Sequence, residues 1–144
     1  MKLAYIDSPV WITRFEGFHI YKDVINTQLN VLAKEGWSFC VSEVVLLEVM
    51  AKPYQQNNTT VIDTYNDVFG QTTLLKIYPD VFTDALLIAQ TEKLKSMDAI
   101  HVSIALHNKC RRFVSTDTHF QKLKVIPVTW IDLSQHAPNK INTK

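Results

Sequence analysis

The sequence predicts an α/β fold in which helices cover both faces of a mostly parallel central sheet of four to five strands. Short apolar runs that suit buried strands alternate along almost the whole chain with segments whose apolar residues recur at helical intervals. The chain has 144 residues, 47% of them hydrophobic, which is enough for one well-filled core. We therefore expect a single three-layer α/β/α domain over residues 1–133, and a polar, flexible tail over residues 134–144.

Two strands and four helices are predicted in the first half of the chain. In chain order they are a strand at residues 3–6, a helix from residue 10, a helix at 20–33, a strand at 38–41, and helices at 43–51 and 60–69. Pro9 suits a first helical turn, Gly36 a helix end and Ser42 an N-cap. The helix from residue 43 is expected to end before Pro53, because the residue that precedes a proline avoids the helical region.

Three strands and two helices are predicted in the second half. They are a strand at residues 74–78, a helix from 79 or 80 to 94, a helix at 97–107, and strands at 112–115 and 125–130. Pro79 suits the first turn of the longer helix, and Ser96 is the expected N-cap of the next one.

Composition argues against several classes of function. The formal net charge is +1, so overall charge does not indicate binding to nucleic acid or to a membrane surface. The chain has no Gly-rich phosphate loop, no G-x-S-x-G elbow and no zinc spacing among its five histidines. Cys40 and Cys110 follow no metal or disulfide pattern and are expected to be reduced. No signal peptide or spanning helix is predicted, so we expect a cytoplasmic protein.

Four acidic residues lie beside apolar runs, where a charge needs compensation. Asp7 follows the first strand, Glu48 interrupts an apolar helix, Asp98 begins another helix, and Asp117 follows the strand at residues 112–115. Because the carboxyl ends of parallel strands meet at one crevice, we predict that these acids form a divalent-metal site. An N-cap is the alternative role for Asp7, and for Asp117 a capping role is compatible with the site.

Three further polar residues lie close to these acids. Glu43 is about 140° around the helix from Glu48, so an acid near the helix N-terminus is its expected role and metal ligation the alternative. His101 shares a helix face with Asp98, but a lone helical histidine is more often packed or solvated than a ligand. The hydroxyl of Ser115, at the end of a predicted strand, can orient a water or a metal ligand.

The ligand types favour a hard metal ion. Oxygen ligands without paired cysteines or histidines select Mg²⁺ or Mn²⁺ rather than zinc. Crowded carboxylates without a metal repel one another, which raises the pKa of at least one of them. A phosphatase that starts from a first-strand aspartate is disfavoured, because it needs a second acid two residues on, where Pro9 stands.

Four motifs, taken in order, resemble those of the PIN domain. They are YIDS at residues 5–8, SEVVLLEV at 42–49, MDAIHV at 97–102 and FVSTD at 113–117. The resemblance covers residues 3 to about 131 and is particularly close to small prokaryotic PIN proteins typified by the VapC-like toxin ribonucleases.

This resemblance implies a function and a set of site residues. The acidic site would consist of Asp7, Glu48, Asp98 and Asp117, with Ser8 and Ser115 in the same motifs. It also implies an Mg²⁺- or Mn²⁺-dependent endoribonuclease, the toxin of a type II toxin–antitoxin system, with RNA as substrate, a small antitoxin as partner and a homodimeric state. Two residues depart from the pattern, since these proteins usually carry asparagine in place of Pro9 and Thr116, and both changes loosen the hydrogen bonds that orient the carboxylates.

Two other functions stay open. One is a PIN-like module that binds RNA or protein through a weak or inactive site, and the other is a receiver-type domain phosphorylated on one aspartate. Five basic residues between positions 109 and 124 are interpreted equally well as a surface that attracts RNA phosphates or as an ordinary solvated surface. They are Lys109, Arg111, Arg112, Lys122 and Lys124.

Overall fold

The computed structural model describes residues 1–134, which contain one five-stranded sheet. All neighbouring strands are parallel, and their order across the sheet is β3-β2-β1-β4-β5. The strands are β1 (Lys2–Ile6), β2 (Trp37–Val41), β3 (Thr73–Leu74), β4 (Arg112–Ser115) and β5 (Val128–Trp130). Strand order reverses at β1, and the crevice outside the carboxyl ends at such a point is where open α/β sheets bind ligands.

Six α-helices and one 3₁₀ helix at Thr118–Phe120 complete this part of the chain. The α-helices are α1 (Ser8–Glu16), α2 (His19–Lys34), α3 (Glu43–Gln55), α4 (Thr59–Phe69), α5 (Val81–Glu92) and α6 (Ser96–His107). Helix α1 packs against α2 and α3, α3 packs against α4, and α5 packs against α6. The predicted α/β fold with a parallel sheet of four to five strands is therefore confirmed.

Strand β1 is the central strand of the sheet, and its last three residues lie in the core. Ala4, Tyr5 and Ile6 are fully buried, because β1 pairs with β2 on one side and with β4 on the other. The backbone N–H of Asp7 still donates to Val114 O (3.0 Å), so the chain leaves the sheet at this residue. Strand β1 thus delivers the carboxylate of Asp7 to the carboxyl edge of the sheet.

The prediction that the helix from Glu43 ends before Pro53 is wrong. Helix α3 continues to Gln55, with Pro53 inside it. Val45, Val49 and Pro53 are the buried residues of this helix, and their spacing of four places them on one face. Packing of that face outweighs the single backbone hydrogen bond that proline removes close to the helix end.

Other boundaries differ by a few residues. Strands β3 and β5 are shorter than the predicted 74–78 and 125–130, and Pro127 provides no N–H for the ladder although its carbonyl accepts a hydrogen bond from Phe113 N–H (2.9 Å). Ser96 is the first residue of α6 rather than its cap; Lys95 occupies the cap position, and its carbonyl accepts from Ala99 N–H. Among residues 1–134, no helix has the length and apolar character that crossing a membrane requires.

The termini and cysteines complete the comparison with the predicted organisation. Cys40 and Cys110 are buried and free, as expected. Of the tail predicted at residues 134–144, only Ser134 belongs to the described residues, and the rest of that prediction lies outside them.

Candidate functional site

The four predicted acids line one open cleft of about 430 Å³ at the carboxyl edge of the sheet. They come from four separate segments, because Asp7 follows β1, Glu48 lies in α3, Asp98 lies in the first turn of α6, and Asp117 follows β4. The residues that line the cleft are Asp7, Ser8, Pro9, Ile12, Glu48, Asp98, His101 and Asp117. Residues far apart in sequence thus place four carboxyl groups around a single volume.

Asp7 is the most buried of these acids, with 3% of its surface exposed. Its Oδ1 accepts a hydrogen bond from Ser8 N–H (2.9 Å), and its Oδ2 accepts one from Ser115 Oγ (2.8 Å). Asp7 therefore caps α1 and faces the cleft at once. Burial raises the pKa of Asp7 to about 6, although the charge of His101 and the two hydrogen bonds act in the opposite direction.

Glu48 is held at one of its two oxygens. Oε1 accepts from Ser8 Oγ (2.6 Å) and from His101 Nε2 (2.6 Å), whereas Oε2 has no hydrogen-bond partner among residues 1–134. The side chain is 34% exposed. The hydrogen bond from His101 lowers the pKa of Glu48, with a further lowering from Ser8, while partial burial opposes the shift. Glu48 is thus an oriented carboxylate with one oxygen left for a ligand.

His101 was expected to be an ordinary packed or solvated side chain, and the structure gives it a larger part. It is 2% exposed, and its Nδ1 lies 2.6 Å from the hydroxyl of Tyr5, which in turn lies 2.8 Å from Ser42 Oγ. Because a carboxylate only accepts, Nε2 carries the proton that bonds Glu48 in either charge state of the ring. Burial lowers the pKa of His101, but Glu48 and the nearby aspartates together raise it above its usual value.

Asp98 and Asp117 face each other across a second histidine of the site, His119. His119 Nδ1 lies 3.3 Å from Asp98 Oδ2 and 3.3 Å from Asp117 Oδ1. Asp117 caps the 3₁₀ helix by accepting from His119 N–H (2.9 Å), and its own N–H donates to Ser115 Oγ (3.0 Å). Burial, and then the charge of Asp117, raises the pKa of Asp98.

The donor set fits a divalent cation. Burial is the main cause that raises the pKa values of Asp7 and Asp98, and at each of them a neighbouring carboxylate adds to the shift, so a cation bound beside them would favour their ionised forms. One potential ligand atom each from Asp98, Asp117 and His119 lies within 4.8 Å of the other two. Carboxylate oxygens dominate the cleft, which suits Mg²⁺ or Mn²⁺.

The secondary candidates divide into two groups. Ser8 and Ser115 hold the acids directly, through Glu48 and Asp7 respectively. Glu43 does not line the cleft; it is exposed in the first turn of α3, where a carboxylate stabilises the helix N-terminus. The two histidines at positions 101 and 119 join the site although they were not predicted as site residues.

The sequence also matches a known family. Residues 4–126 match the PIN domain. This chain belongs to the PIN domain family. Comparison of this PIN domain with curated proteins gives no match.

Several solved structures share its fold at low sequence identity. A toxin–antitoxin complex from Klebsiella pneumoniae contains a chain 19% identical to this PIN domain, with a TM-score of 0.68 over 90% of this chain and 98% of that one. VapBC2 from Rickettsia felis, bound to a DNA fragment from its promoter, is 13% identical, with a TM-score of 0.70 over 90% and 99%. FitAcB from Neisseria gonorrhoeae is 11% identical, with a TM-score of 0.64 over 87% and 95%. These neighbours show the fold.

Proposed function

We propose that this PIN domain is an Mg²⁺- or Mn²⁺-dependent endoribonuclease that hydrolyses RNA phosphodiester bonds. The observation that carries the proposal is the convergence of four carboxylates, from four separate segments, on one cleft. PIN domains are in general nucleases, and the donor set fits the ions that such chemistry uses. Asp7, Asp98 and Asp117, together with Glu48, are the proposed ligands and catalytic residues.

A bound divalent ion would lower the pKa of a water and neutralise charge that develops on the phosphate. The protein's own contribution is orientation. Asp7 is fixed at both oxygens by hydrogen bonds, so its remaining lone pairs point in set directions. Glu48 is fixed at Oε1 only, which leaves Oε2 to accept a proton from, or orient, the attacking water. Asp98 and Asp117 complete the acidic side of the cleft.

The proposed biological role is that of the toxin in a type II toxin–antitoxin pair. The structural neighbours include toxin–antitoxin complexes from two bacteria. The match with this chain covers almost the full length of the neighbouring chain in both cases. A small antitoxin as partner, a homodimeric state and a cytoplasmic location are parts of the same proposal. Fold similarity alone supports them, so each needs its own measurement.

The second candidate function is a PIN module that binds RNA or protein without turnover. Two observations favour it. Pro9 lines the cleft, at the position where the resemblance to VapC-like proteins implies an asparagine, so the orienting amide expected there is absent. His119 lies between Asp98 and Asp117, with its Nδ1 3.3 Å from an oxygen of each, so the two carboxylates share a contact that needs no metal ion.

Cleavage of total cellular RNA tests the first proposal. Purified protein is incubated with Mn²⁺ or Mg²⁺, and parallel samples contain EDTA, the Asp98→Asn variant, or the control variant Asp84→Asn, whose aspartate lies outside the cleft. We expect metal-dependent cleavage that Asp98→Asn abolishes and Asp84→Asn retains. Cleavage that survives Asp98→Asn contradicts the assignment, because it points to a contaminant or a different site.

Metal titration separates the two candidates when no cleavage is seen. A nuclease site binds Mn²⁺, as followed by the loss of the free-ion electron paramagnetic resonance signal, and Asp98→Asn weakens this binding. A site that has lost its function binds Mn²⁺ no better than the Asp98→Asn variant does.

A further inference from the structure

A second groove of about 440 Å³ adjoins the acidic cleft, and three lysines line it. Lys93 follows α5, and Lys122 and Lys124 follow the 3₁₀ helix. We call this feature the lysine groove. Its other lining residues are Thr91, Glu92, Thr118, His119 and Gln121.

His119 joins the two features. It lines the lysine groove, and its ring nitrogen Nδ1 lies 3.3 Å from carboxylate oxygens of both Asp98 and Asp117. A polymer lying in the groove can therefore continue past His119 into the cleft.

The charges of the groove are arranged for an anion. Lys93, Lys122 and Lys124 are exposed, and none of them forms an ion pair with a carboxylate among residues 1–134. Against these three ammonium groups stands one acid, Glu92, which accepts a hydrogen bond from the backbone N–H of Lys124 (2.9 Å). The adjoining cleft carries four carboxylates, which repel a polyanion. A polyanion that enters the cleft therefore needs positive charge close by, such as that of the lysine groove.

The structure also divides the basic stretch between positions 109 and 124. Lys109, Arg111 and Arg112 lie at or before the start of β4, at the amino edge of the sheet. That position is roughly 10 Å along the strand from Ser115 and the cleft. Only Lys122 and Lys124 lie beside the cleft, and Lys93, from a different part of the chain, joins them there.

We propose that the lysine groove binds the phosphate backbone of the RNA strand whose scissile bond lies in the cleft. This inference rests on the proposed ribonuclease function and names where its substrate binds. Phosphate contacts fix the position of a strand but do not read its sequence. The groove therefore supplies affinity and register, and base selection belongs to other surfaces.

Two lysines provide a matched pair of variants. Lys93 and Lys109 both follow a helix and both have a left-handed backbone, with φ of 59° and 61°. Glycine suits this conformation better than any residue with a Cβ, so Lys93→Gly and Lys109→Gly remove the same charge without a folding penalty. The two variants differ only in whether the lost ammonium group lies in the groove.

The experiment measures binding of a short fluorescein-labelled single-stranded RNA by anisotropy, in EDTA so that the RNA stays intact. At about 0.1 M salt we expect Lys93→Gly to weaken binding by roughly threefold to tenfold, and Lys109→Gly to leave it unchanged. The variant with Lys93→Gly, Lys122→Ala and Lys124→Ala together should lower the slope of log affinity against log salt by about 2, at about 0.7 for each phosphate contact. RNAs of different sequence should show the same losses.

Three results overturn the proposal. Equal weakening by Lys93→Gly and Lys109→Gly means that net charge, not the groove, attracts RNA. Full RNA affinity in the triple variant means that the lysine groove does not bind RNA, and a protein partner is then the other candidate ligand. A native protein that binds no RNA under these conditions excludes the groove as an RNA site.

A cleavage assay keeps this inference separate from the ribonuclease proposal. If RNA binds through the lysines and yet no metal supports cleavage, the groove stands and the nuclease proposal fails. If Mn²⁺-dependent cleavage occurs with an unchanged KM in the triple variant, the nuclease proposal stands and the groove fails. If both hold, the triple variant raises KM and leaves kcat close to the native value.

Discussion

Two histidines of α6 pair with carboxylates in nearly the same geometry, but their surroundings differ. Nε2 of His101 lies 2.6 Å from Glu48 Oε1, and Nε2 of His107 lies 2.7 Å from Asp84 Oδ2. The side chain of His101 is 2% exposed, whereas that of His107 is 21% exposed and that of Asp84 47%. A solvent-exposed pair of the second kind contributes about 0–1 kcal/mol to stability.

Each of these histidines also meets a tyrosine ring, and here the difference is larger. The buried hydroxyl of Tyr5 forms a hydrogen bond with Nδ1 of His101. The ring of Tyr78 stacks on the ring of His107, with 6.1 Å between the ring centroids. The hydroxyl of Tyr78 has no hydrogen-bond partner in the described part of the chain. His101 is thus fixed at both ring nitrogens and His107 at one. The distance between histidine and acid therefore does not distinguish the two pairs; the buried contact on the far side of the ring does, and it belongs to the pair in the candidate site.

Removing the charge of Glu48 should give the largest effect. Glu48→Gln keeps the shape of the side chain but removes the proton acceptor, so we expect RNA turnover to fall by about 10²- to 10⁴-fold with little change in folding. Asp84→Asn, the matched change at the exposed pair, should leave turnover unaltered. Single-turnover cleavage with Mn²⁺ measures both, and a loss of less than about tenfold in Glu48→Gln shows that Glu48 is not essential.

Truncating each of the two histidines should give the next largest effect, with a larger loss of stability at His101 than at His107. His101→Ala leaves the Glu48 oxygen and the Tyr5 hydroxyl without a partner and opens a cavity, so we expect a loss of about 3 kcal/mol in unfolding free energy and about 10- to 100-fold in kcat. His107→Ala should cost less than about 1 kcal/mol.

A conservative variant distinguishes positioning by His101 from simple support of the fold. The amide of His101→Gln can still donate toward Glu48, so it should recover part of the lost kcat even if stability stays low. Urea unfolding and cleavage rates are measured on the same samples. Equal kcat for His101→Ala and His101→Gln, in protein that is fully folded, refutes a positioning role.

Replacing Asp7 should stabilise the protein when no metal is present. Burial raises the folded-state pKa of Asp7 from 3.8 to about 6, so the ionised form costs stability. On this account the native protein loses about 3 kcal/mol as the pH rises from about 4 to above 6. Asp7→Asn avoids this cost. In EDTA above pH 7, the variant should therefore have an unfolding free energy up to about 3 kcal/mol higher than that of the native protein. Near pH 4 the two proteins should be equally stable.

Thermal unfolding across this pH range, in EDTA and in Mn²⁺, checks the prediction for Asp7. Mn²⁺ should stabilise the native protein and not the variant. The difference in melting temperature between the two proteins should therefore become smaller or change sign. Asp84→Asn, at the exposed pair, should change the melting temperature little at any pH. A native protein that is the more stable of the two in EDTA at neutral pH contradicts the prediction.

Removing a hydroxyl from each tyrosine should give the smallest effect. Tyr5→Phe leaves Nδ1 of His101 and the hydroxyl of Ser42 short of a buried partner, which costs about 1–2 kcal/mol and lowers kcat a few-fold. Tyr78→Phe should be neutral within about 0.5 kcal/mol, because its ring still stacks on His107. If the two variants are equally stable, the hydroxyl of Tyr5 contributes nothing to the network.

The fold and the positions of the acids could be predicted because each depends on local sequence. Asp7 and Asp117 follow apolar runs, and the end of a buried parallel strand leads to the crevice whichever strands are its neighbours. Glu48 stands out because its helix is otherwise apolar. Asp98 lies in the first turn of a helix, where the helix dipole favours an acidic residue, although burial and the charge of Asp117 raise its pKa.

The histidines and the helix through Pro53 could not be predicted in the same way. The partners of His101 are Glu48 and Tyr5, which lie 53 and 96 residues away in sequence, so no local rule connects them. One signal was present, since α6 buries residues on all sides and a polar residue in such a helix needs a partner. Pro53 depends on how well its helix face packs, which is a property of the finished core.

The hydrogen bond from Ser115 to Asp7 spans 108 residues of sequence, and this has a consequence for synthesis of the protein. A nascent chain that has emerged only through α5 contains Asp7 and Glu48 but neither Asp98 nor Asp117. Elongation adds about 5–20 residues per second, so the missing pair follows only seconds later. The acidic cleft first exists when β4 inserts beside β1, so a nascent chain whose β4 has not yet emerged from the ribosome has no complete site.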